Sequence, residues 1–147
     1  MSQNHEGNEN VLVVTYDGGM RYAAEIRGHR IETDQPVRGK GEDSAPMPLE
    51  LLTAALGTCI ALYVRQFCVA RSIPTEGMRI EVAARSDGPP KRIGRFEVRV
   101  VLPERVPEEY RTMLERVART CPVHNTLAHG PELEIEIVEA LEGAFSA

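Results

Sequence analysis

The sequence predicts an α+β protein with antiparallel sheets and one long buried helix near its middle. Three observations lead to this prediction. Short β-prone runs bounded by turn residues occur on both sides of the centre, a long apolar segment occupies residues 51–64, and strands and helices do not alternate regularly. The predicted order is β-β-β-α-β-β-α-(α)-β. Because 147 residues is the length of one domain, we predict a disordered tail at residues 1–10 and a single domain at residues 11–147.

The first elements of the predicted domain form an antiparallel meander. Residues 11–16 are a β-prone run, and Asp17-Gly18-Gly19 is a strong turn signal. A second strand is expected at residues 20–27 and a third at 30–33, with a turn at 28–29. Each strand therefore pairs with the one before it along the chain.

A connecting loop at residues 36–48 leads into the predicted central helix. Pro48 suits the first helical turn, and Glu50 is favourable near a helix N-terminus. From there to about residue 71 the segment is apolar on nearly all sides, which predicts a helix buried on nearly all faces. A chain of this size can hardly cover such a helix alone, so a partner subunit is expected to help bury it.

In the second half of the chain, two predicted strands again precede the helical segments. Two strand-like runs lie at residues 78–85 and 95–102. Pro107 opens a helix with acidic residues in its first turn, and Pro122 breaks or restarts that helix. Residues 132–138, with the sequence ELEIEIV, alternate strictly between polar and apolar side chains and predict a closing strand.

Charge and composition exclude several classes of function. The chain has 17 Lys+Arg against 22 Asp+Glu, a net charge of −5, which disfavours nucleic acid as a partner. The first ten residues lack the basic and apolar regions of a signal peptide. The apolar run at 51–64 is shorter than the roughly 20 residues that span a bilayer. We therefore expect a cytoplasmic protein with no membrane partner.

The three cysteines are too few and too widely spaced for a disulfide framework. Cys59 and Cys68 are nine residues apart, which places them on opposite faces of the central helix. Cys68 is expected to be a small core residue. Cys59 has apolar neighbours, which disfavour a thiolate, so it would be inert without a basic partner from another element.

Cys121 differs because a proline and a histidine follow it closely. If Pro122 starts a helix, Cys121 is the N-cap, where exposed amides favour the thiolate. Cys121 and His124 could form a hydrolase dyad, although no third member is evident. A zinc site would need further ligands, such as His129. We predict no metal and no cofactor.

Two cysteine segments together resemble the OsmC/Ohr family. The first, residues 46–59 with the sequence PMPLELLTAALGTC, resembles the proline, Glu-Leu-Leu turn and alanine-rich helix that lead to a cysteine in that family. The second, residues 121–127 with the sequence CPVHNTL, resembles the family's second cysteine at the start of a late helix. The resemblance covers roughly residues 11–140.

The resemblance implies an intertwined homodimer with an OsmC-like fold and an active site at the dimer interface. It also implies a thiol-dependent peroxidase that reduces organic hydroperoxides in an oxidative stress response. Cys59 would be the peroxidatic cysteine, and its sulfenic acid would be resolved by Cys121. An external dithiol such as a lipoyl protein would then reduce the disulfide. In this family an arginine lowers the pKa of the peroxidatic thiol; Arg21 is the best positional match and Arg38 the second.

One position departs from the family pattern and motivates an alternative. The glutamate that pairs with the arginine lies ten residues before the peroxidatic cysteine in the family, where this chain has Leu49. Here the matching carboxylate is Glu50, nine residues before Cys59, and helical phase would point it away from that thiol. The alternative is a non-catalytic member that binds a small apolar or sulfur-containing ligand at the dimer groove.

Overall fold

The computed structural model describes residues 11–139, which form two compact units. The first contains the described residues up to Met47 and those from Leu133 onward, and the second is Pro48–Glu132. The predicted disordered tail at residues 1–10 lies outside the described residues. The division of the chain into that tail and a single domain stays a prediction.

The first unit contains the predicted antiparallel meander. Its strands are β1 (Val13–Tyr16), β2 (Tyr22–Ile26) and β3 (His29–Thr33), paired in chain order. Arg27 and Gly28 both have positive φ, 49° and 82°, which is the two-residue turn that suits the twist of a tight hairpin. The meander is therefore confirmed, with strands slightly shorter than the sequence predicts.

The prediction of a closing strand at residues 132–138 is wrong. Residues 131–139 form no strand, and Leu133, Ile135 and Ile137 are 83%, 90% and 95% exposed. A strand requires a hydrogen-bonded neighbour, and the segment has none among the described residues. Alternation of polar and apolar residues suits a β-strand, but it does not provide the neighbouring strand with which that strand must pair.

The central helix of the second unit, α1, is Pro48–Val69, close to its predicted bounds. Its buried side chains recur every four residues along one face and form the centre of the core. They are Leu56, Ile60, Val64 and Cys68. Gly57 lies on this side too, where an added Cβ would stand only 3.1 Å from Cγ2 of Val82, so a larger residue would push α1 away from the neighbouring strand.

The opposite face of α1 is not covered by the described residues, so its burial by a partner subunit stays a prediction. Leu62 and Val69 lie on this face and are each 54% exposed. The helix has 22 residues, so by length and composition it could cross a membrane, and the length argument against a span does not hold. Core helices of soluble proteins meet the same criteria, and the absence of a membrane partner stays a prediction.

Two strands and two helices complete the second unit. The strands β4 (Arg79–Asp87) and β5 (Arg92–Val101) form an antiparallel pair, longer than predicted at the turn that joins them. The helices are α2 (Glu108–Ala118) and α3 (Pro122–His129). Helix α1 packs against all four elements, so the antiparallel α+β prediction is confirmed.

Candidate functional site

Cys59 lies near the middle of α1, beside the buried stripe rather than within it. Its side chain is half-buried and packs against the core cluster that contains Leu56 and Ile60. The thiol therefore has apolar neighbours but is not sealed from the outside. This position is compatible with a thiol that reacts with a small molecule.

Cys121 is the N-cap of α3, as the following proline predicts. Its backbone is extended, Pro122 occupies the first helical position, and the His124 N–H donates a hydrogen bond to Cys121 Sγ over 3.1 Å. The Cys121 side chain is fully buried. Local sequence thus fixes the thiol at the helix start, and packing encloses it.

The structure brings Cys59 and Cys121 together. Cys121 belongs to the core cluster against which Cys59 packs, Cys59 acts on the pKa of the Cys121 thiol, and both are free cysteines. Burial raises the pKa of Cys121, the amide of His124 opposes this effect, and Cys59 raises the pKa further. The expectation that the cap favours a Cys121 thiolate is therefore corrected, because desolvation outweighs the helix amides.

Cys68 is a core residue, as predicted. Its side chain is fully buried at the end of the α1 stripe. Burial raises the pKa of Cys68, and the charge of Arg71 offsets only part of that effect. The residue is thus a small apolar side chain rather than a nucleophile.

Arg21 belongs to the first unit, where two groups hold its guanidinium. Nε and Nη2 donate to the carbonyl of Asp17 over 3.3 and 3.1 Å, and Nη1 lies 3.3 Å from Oε2 of Glu42. Glu42 was not among the predicted site residues. It lies in the segment RGKGED, whose glycines lack the spacing of a phosphate loop, and no motif in the sequence marks it as the partner of Arg21. The approach of Arg21 to Cys59 stays a prediction.

The other two predicted residues occupy different positions. Glu50 is a first-turn residue of α1, nine positions before Cys59, so it lies about 14 Å away along the axis and on the opposite side. The structure therefore does not place it beside Cys59, and its catalytic role stays a prediction. Arg38 is exposed in a short 3-10 turn at Val37–Gly39.

His124 contributes its backbone rather than its ring to Cys121. The Nδ1 atom of the ring lies 3.4 Å from Oδ1 of Asn125. Within residues 11–139, no group of three or more His, Cys, Asp or Glu side chains is arranged to hold a metal ion. Neither the hydrolase dyad nor the zinc site therefore has a complete set of residues in this part of the chain.

A groove of about 940 Å³ lies between β5 and α2 in the second unit. Its lining includes apolar side chains, among them Ile60 and Phe96, and several arginines. His124 also lines it, three residues after Cys121. The groove therefore adjoins the helix that holds the second thiol.

The fold and the thiol pair define an α+β protein in which a central helix and a capped late helix bring two free cysteines together. Residues 41–136 match the family described as OsmC-like protein. The chain belongs to the OsmC-like family. Comparison with curated proteins gives no match.

Solved structures share this fold at low sequence identity. A protein from Psychrobacter arcticus 273-4, whose name refers to osmotic stress induction and a detoxification response, has a TM-score of 0.74 and 24% identity, covering 84% of this chain and 91% of its own. An OsmC-like protein of unknown function from Vibrio cholerae has a TM-score of 0.67 and 12% identity, with coverages of 82% and 94%. An organic hydroperoxide resistance protein, OsmC, from Legionella pneumophila has a TM-score of 0.57 and 16% identity, with coverages of 82% and 91%.

Proposed function

We propose that this protein is a thiol-dependent peroxidase that reduces organic hydroperoxides, with Cys59 as the peroxidatic and Cys121 as the resolving cysteine. The observation that carries the proposal is that Cys59, on α1, packs against the core cluster that contains Cys121, at the start of α3. Family membership and the hydroperoxide resistance protein among the structural relatives support the same reaction.

In the first step the Cys59 thiolate attacks the terminal oxygen of the hydroperoxide. The O–O bond breaks, an S–O bond forms, and the alkoxide leaves and becomes the alcohol by taking up, through solvent, the proton that the Cys59 thiol released on ionising. The sulfur is oxidised by two electrons and the peroxide is reduced. The product on the protein is a Cys59 sulfenic acid.

In the second step Cys121 closes a disulfide with Cys59. The S–O bond breaks, the S–S bond forms, and the thiol proton of Cys121 leaves with the hydroxyl group as water. Burial raises the pKa of Cys121, which favours the protonated thiol before this step. An external dithiol, such as a lipoyl protein in the cytoplasm, then reduces the disulfide and is itself oxidised.

Activation of Cys59 requires a basic group, since the middle of α1 is too far from the helix start for its dipole to help. We assign this role to Arg21, because a guanidinium is always charged and can bond to a thiolate and a carboxylate together. In this chain the carboxylate on Arg21 is Glu42. Glu50 stays the second candidate for supporting the arginine.

The functional unit is proposed to be a homodimer. One face of α1 exposes Leu62 and Val69, and the alternating side chains of residues 133–137 are almost fully exposed. Each of these two groups of exposed apolar side chains, taken on its own unit, is of the kind found at interaction sites. A second copy would cover the open face of α1 and give the segment at 132–138 a neighbouring strand.

The peroxidase proposal is tested by counting free thiols after treatment of the reduced protein with one equivalent of cumene hydroperoxide. We expect two thiols to be lost per chain in the wild type. Cys59→Ser should abolish the loss, and Cys121→Ser should leave a sulfenic acid that dimedone traps. Cys68→Ala is the matched control and should behave like the wild type.

A chain that keeps all its thiols under these conditions would contradict the peroxidase proposal. The departure at Leu49 and Glu50 would then favour the non-catalytic alternative, a protein that binds a small apolar or sulfur-containing ligand at the dimer groove. Iodoacetamide separates the two as well. A peroxidatic Cys59 is alkylated rapidly at neutral pH, whereas an unactivated thiol requires the alkaline range near pH 8.5.

The dimer is tested by light scattering after gel filtration. We expect the wild type at about twice the chain mass of 16.3 kDa, and Leu62→Glu at a lower mass because a carboxylate would be buried in the interface. Lys91→Gln changes the net charge by the same amount in the exposed β4–β5 turn and should leave the mass unchanged. A monomeric wild type would overturn this part of the proposal.

A further inference from the structure

Asp34 is the only buried charged side chain among residues 11–139. It directly follows β3 and is 1% exposed. Its carboxylate accepts four hydrogen bonds: Oδ1 from the Gln35 N–H at 2.7 Å, and Oδ2 from the Glu42 N–H at 3.1 Å, the Ser44 N–H at 3.0 Å and the Ser44 hydroxyl at 2.8 Å. A buried carboxylate stays charged only with such donors. Chiefly because of Ser44, they lower the pKa of Asp34 to about 2.

The loop that donates these hydrogen bonds is folded tightly around the carboxylate. The Asp43 N–H donates to the carbonyl of Gln35 over 3.1 Å. At Gly41 an added Cβ would overlap the Gln35 carbonyl and stand 2.7 Å from Oδ1 of Asp34. A residue with a side chain cannot occupy this position without moving the loop. The backbone of residues 35–44 is therefore held by Asp34 and by the absence of a side chain at 41.

The same loop carries the carboxylate that contacts Arg21. The Glu42 N–H is bonded to Asp34, and its side chain reaches Nη1 of Arg21. The side chains of Arg21 and Glu42 are 39% and 78% exposed, and an exposed ion pair of this kind is weak because both side chains lose freedom when it forms. Fixing the backbone of Glu42 in advance lowers a separate cost, that of ordering the loop backbone when the pair forms.

We propose that Asp34 is a positioning residue for Arg21, acting through the loop that places Glu42 beside the guanidinium. Asp34 organises the loop, Glu42 holds one side of Arg21, and the carbonyl of Asp17 holds the other. The inference rests on the proposed function, in which Arg21 activates Cys59. On this proposal, Asp34 influences the reactivity of Cys59 indirectly, through the loop and Arg21.

The test is the rate of Cys59 alkylation by iodoacetamide as a function of pH, read from the labelled peptide by mass spectrometry. Arg21→Ala should shift the rate profile to higher pH. Asp34→Asn should shift it in the same direction and lower the rate at pH 7 by about threefold to tenfold, because a displaced guanidinium favours the thiolate less. In the Arg21→Ala background, Asp34→Asn should have no further effect.

Two milder variants and one control guard against a general loss of structure. Ser44→Ala removes one of the four hydrogen bonds, and Glu42→Gln removes the charge that faces Arg21; both should give smaller shifts in the same direction. Asp43→Asn makes the matching change to an exposed carboxylate in the same loop, at a positive φ of 56° that asparagine tolerates, and should leave the profile unchanged.

The outcomes separate this inference from the proposed function. If Arg21→Ala leaves the profile unchanged, the proposed activation of Cys59 fails. If Arg21→Ala shifts it while Asp34→Asn, Ser44→Ala and Glu42→Gln do not, Arg21 keeps its role and Asp34 is not its positioning residue. An effect of Asp34→Asn that persists in the Arg21→Ala background would also overturn the inference, because Asp34 would then support the fold in general.

Discussion

Cys59 and Cys68 are two cysteines of one helix with different surroundings. Both lie in α1 among apolar sequence neighbours. Cys68 is fully buried at the end of the core stripe, and that burial raises its pKa. Cys59 is half-buried and faces a second thiol, Cys121, which a different helix supplies.

The difference shows that the elements packed against a cysteine, and not the helix that carries it, determine its burial and its neighbouring groups. Cys68 lies within the core, where packed side chains enclose its thiol. Cys59 instead acts on the thiol of Cys121 at the start of α3, and the proposed function rests on this pair. Four experiments test this comparison.

The largest expected effect is on alkylation. At pH 8 under reducing conditions, Cys59 should react with iodoacetamide at least about a hundredfold faster than Cys68, because Cys68 becomes accessible only when the core opens. The rates are read from the two labelled peptides by mass spectrometry. Labelling of Cys68 within tenfold of Cys59 would break the comparison.

The second expected effect is on stability. Cys68→Ser should lower the free energy of unfolding by about 1–3 kcal/mol, because it buries a hydroxyl where a thiol packs against apolar groups. Cys59→Ser, at a half-buried position, should cost less than about 1 kcal/mol. Urea denaturation of the reduced proteins measures both. Equal losses for the two variants would show that the environments are alike.

A third experiment separates the two roles of Cys121. Cys121→Ala removes the acceptor for the His124 N–H, whereas Cys121→Ser keeps an acceptor at the N-cap. The alanine variant should therefore be less stable than the serine variant by about 1 kcal/mol, while both lose the ability to form a disulfide. Urea denaturation measures the first difference and thiol counting after peroxide the second. Equal stability would mean that the cap is unimportant.

The smallest expected effect is on how steeply the free energy of unfolding falls as the pH rises above about 8. Burial raises the pKa of Cys68 above its ordinary value of 9.0, so the folded chain keeps a proton that the unfolded chain releases. The stabilisation is present below about pH 9 and is lost as the pH rises toward the folded-state pKa, with a slope of at most about 1.4 kcal/mol per pH unit. Urea denaturation at pH 8, 9 and 10 should show a shallower decline for Cys68→Ala than for the wild type. An unchanged slope would contradict the role of burial.

Local signals in the sequence were enough to predict most of the helices and strands of the fold. The turn residues at 17–19 and 28–29, the long apolar segment, and the proline after Cys121 each act on their immediate neighbours. For this reason the hairpins, α1 and the cap of α3 lie close to their predicted positions. The resemblance of two cysteine segments to a known family pointed to the same fold.

Contacts between distant parts of the chain were decided by the tertiary structure. The sequence placed Cys121 at a helix start but could not show that burial would outweigh the helix amides, because burial depends on what packs above it. It gave no sign that Glu42 would reach Arg21, since the loop fold around Asp34 sets that pairing. It also predicted a strand at 132–138 from alternation alone. Alternation is a property of one segment, whereas a strand, an ion pair and a thiol pair each require a second segment whose place only the folded chain determines.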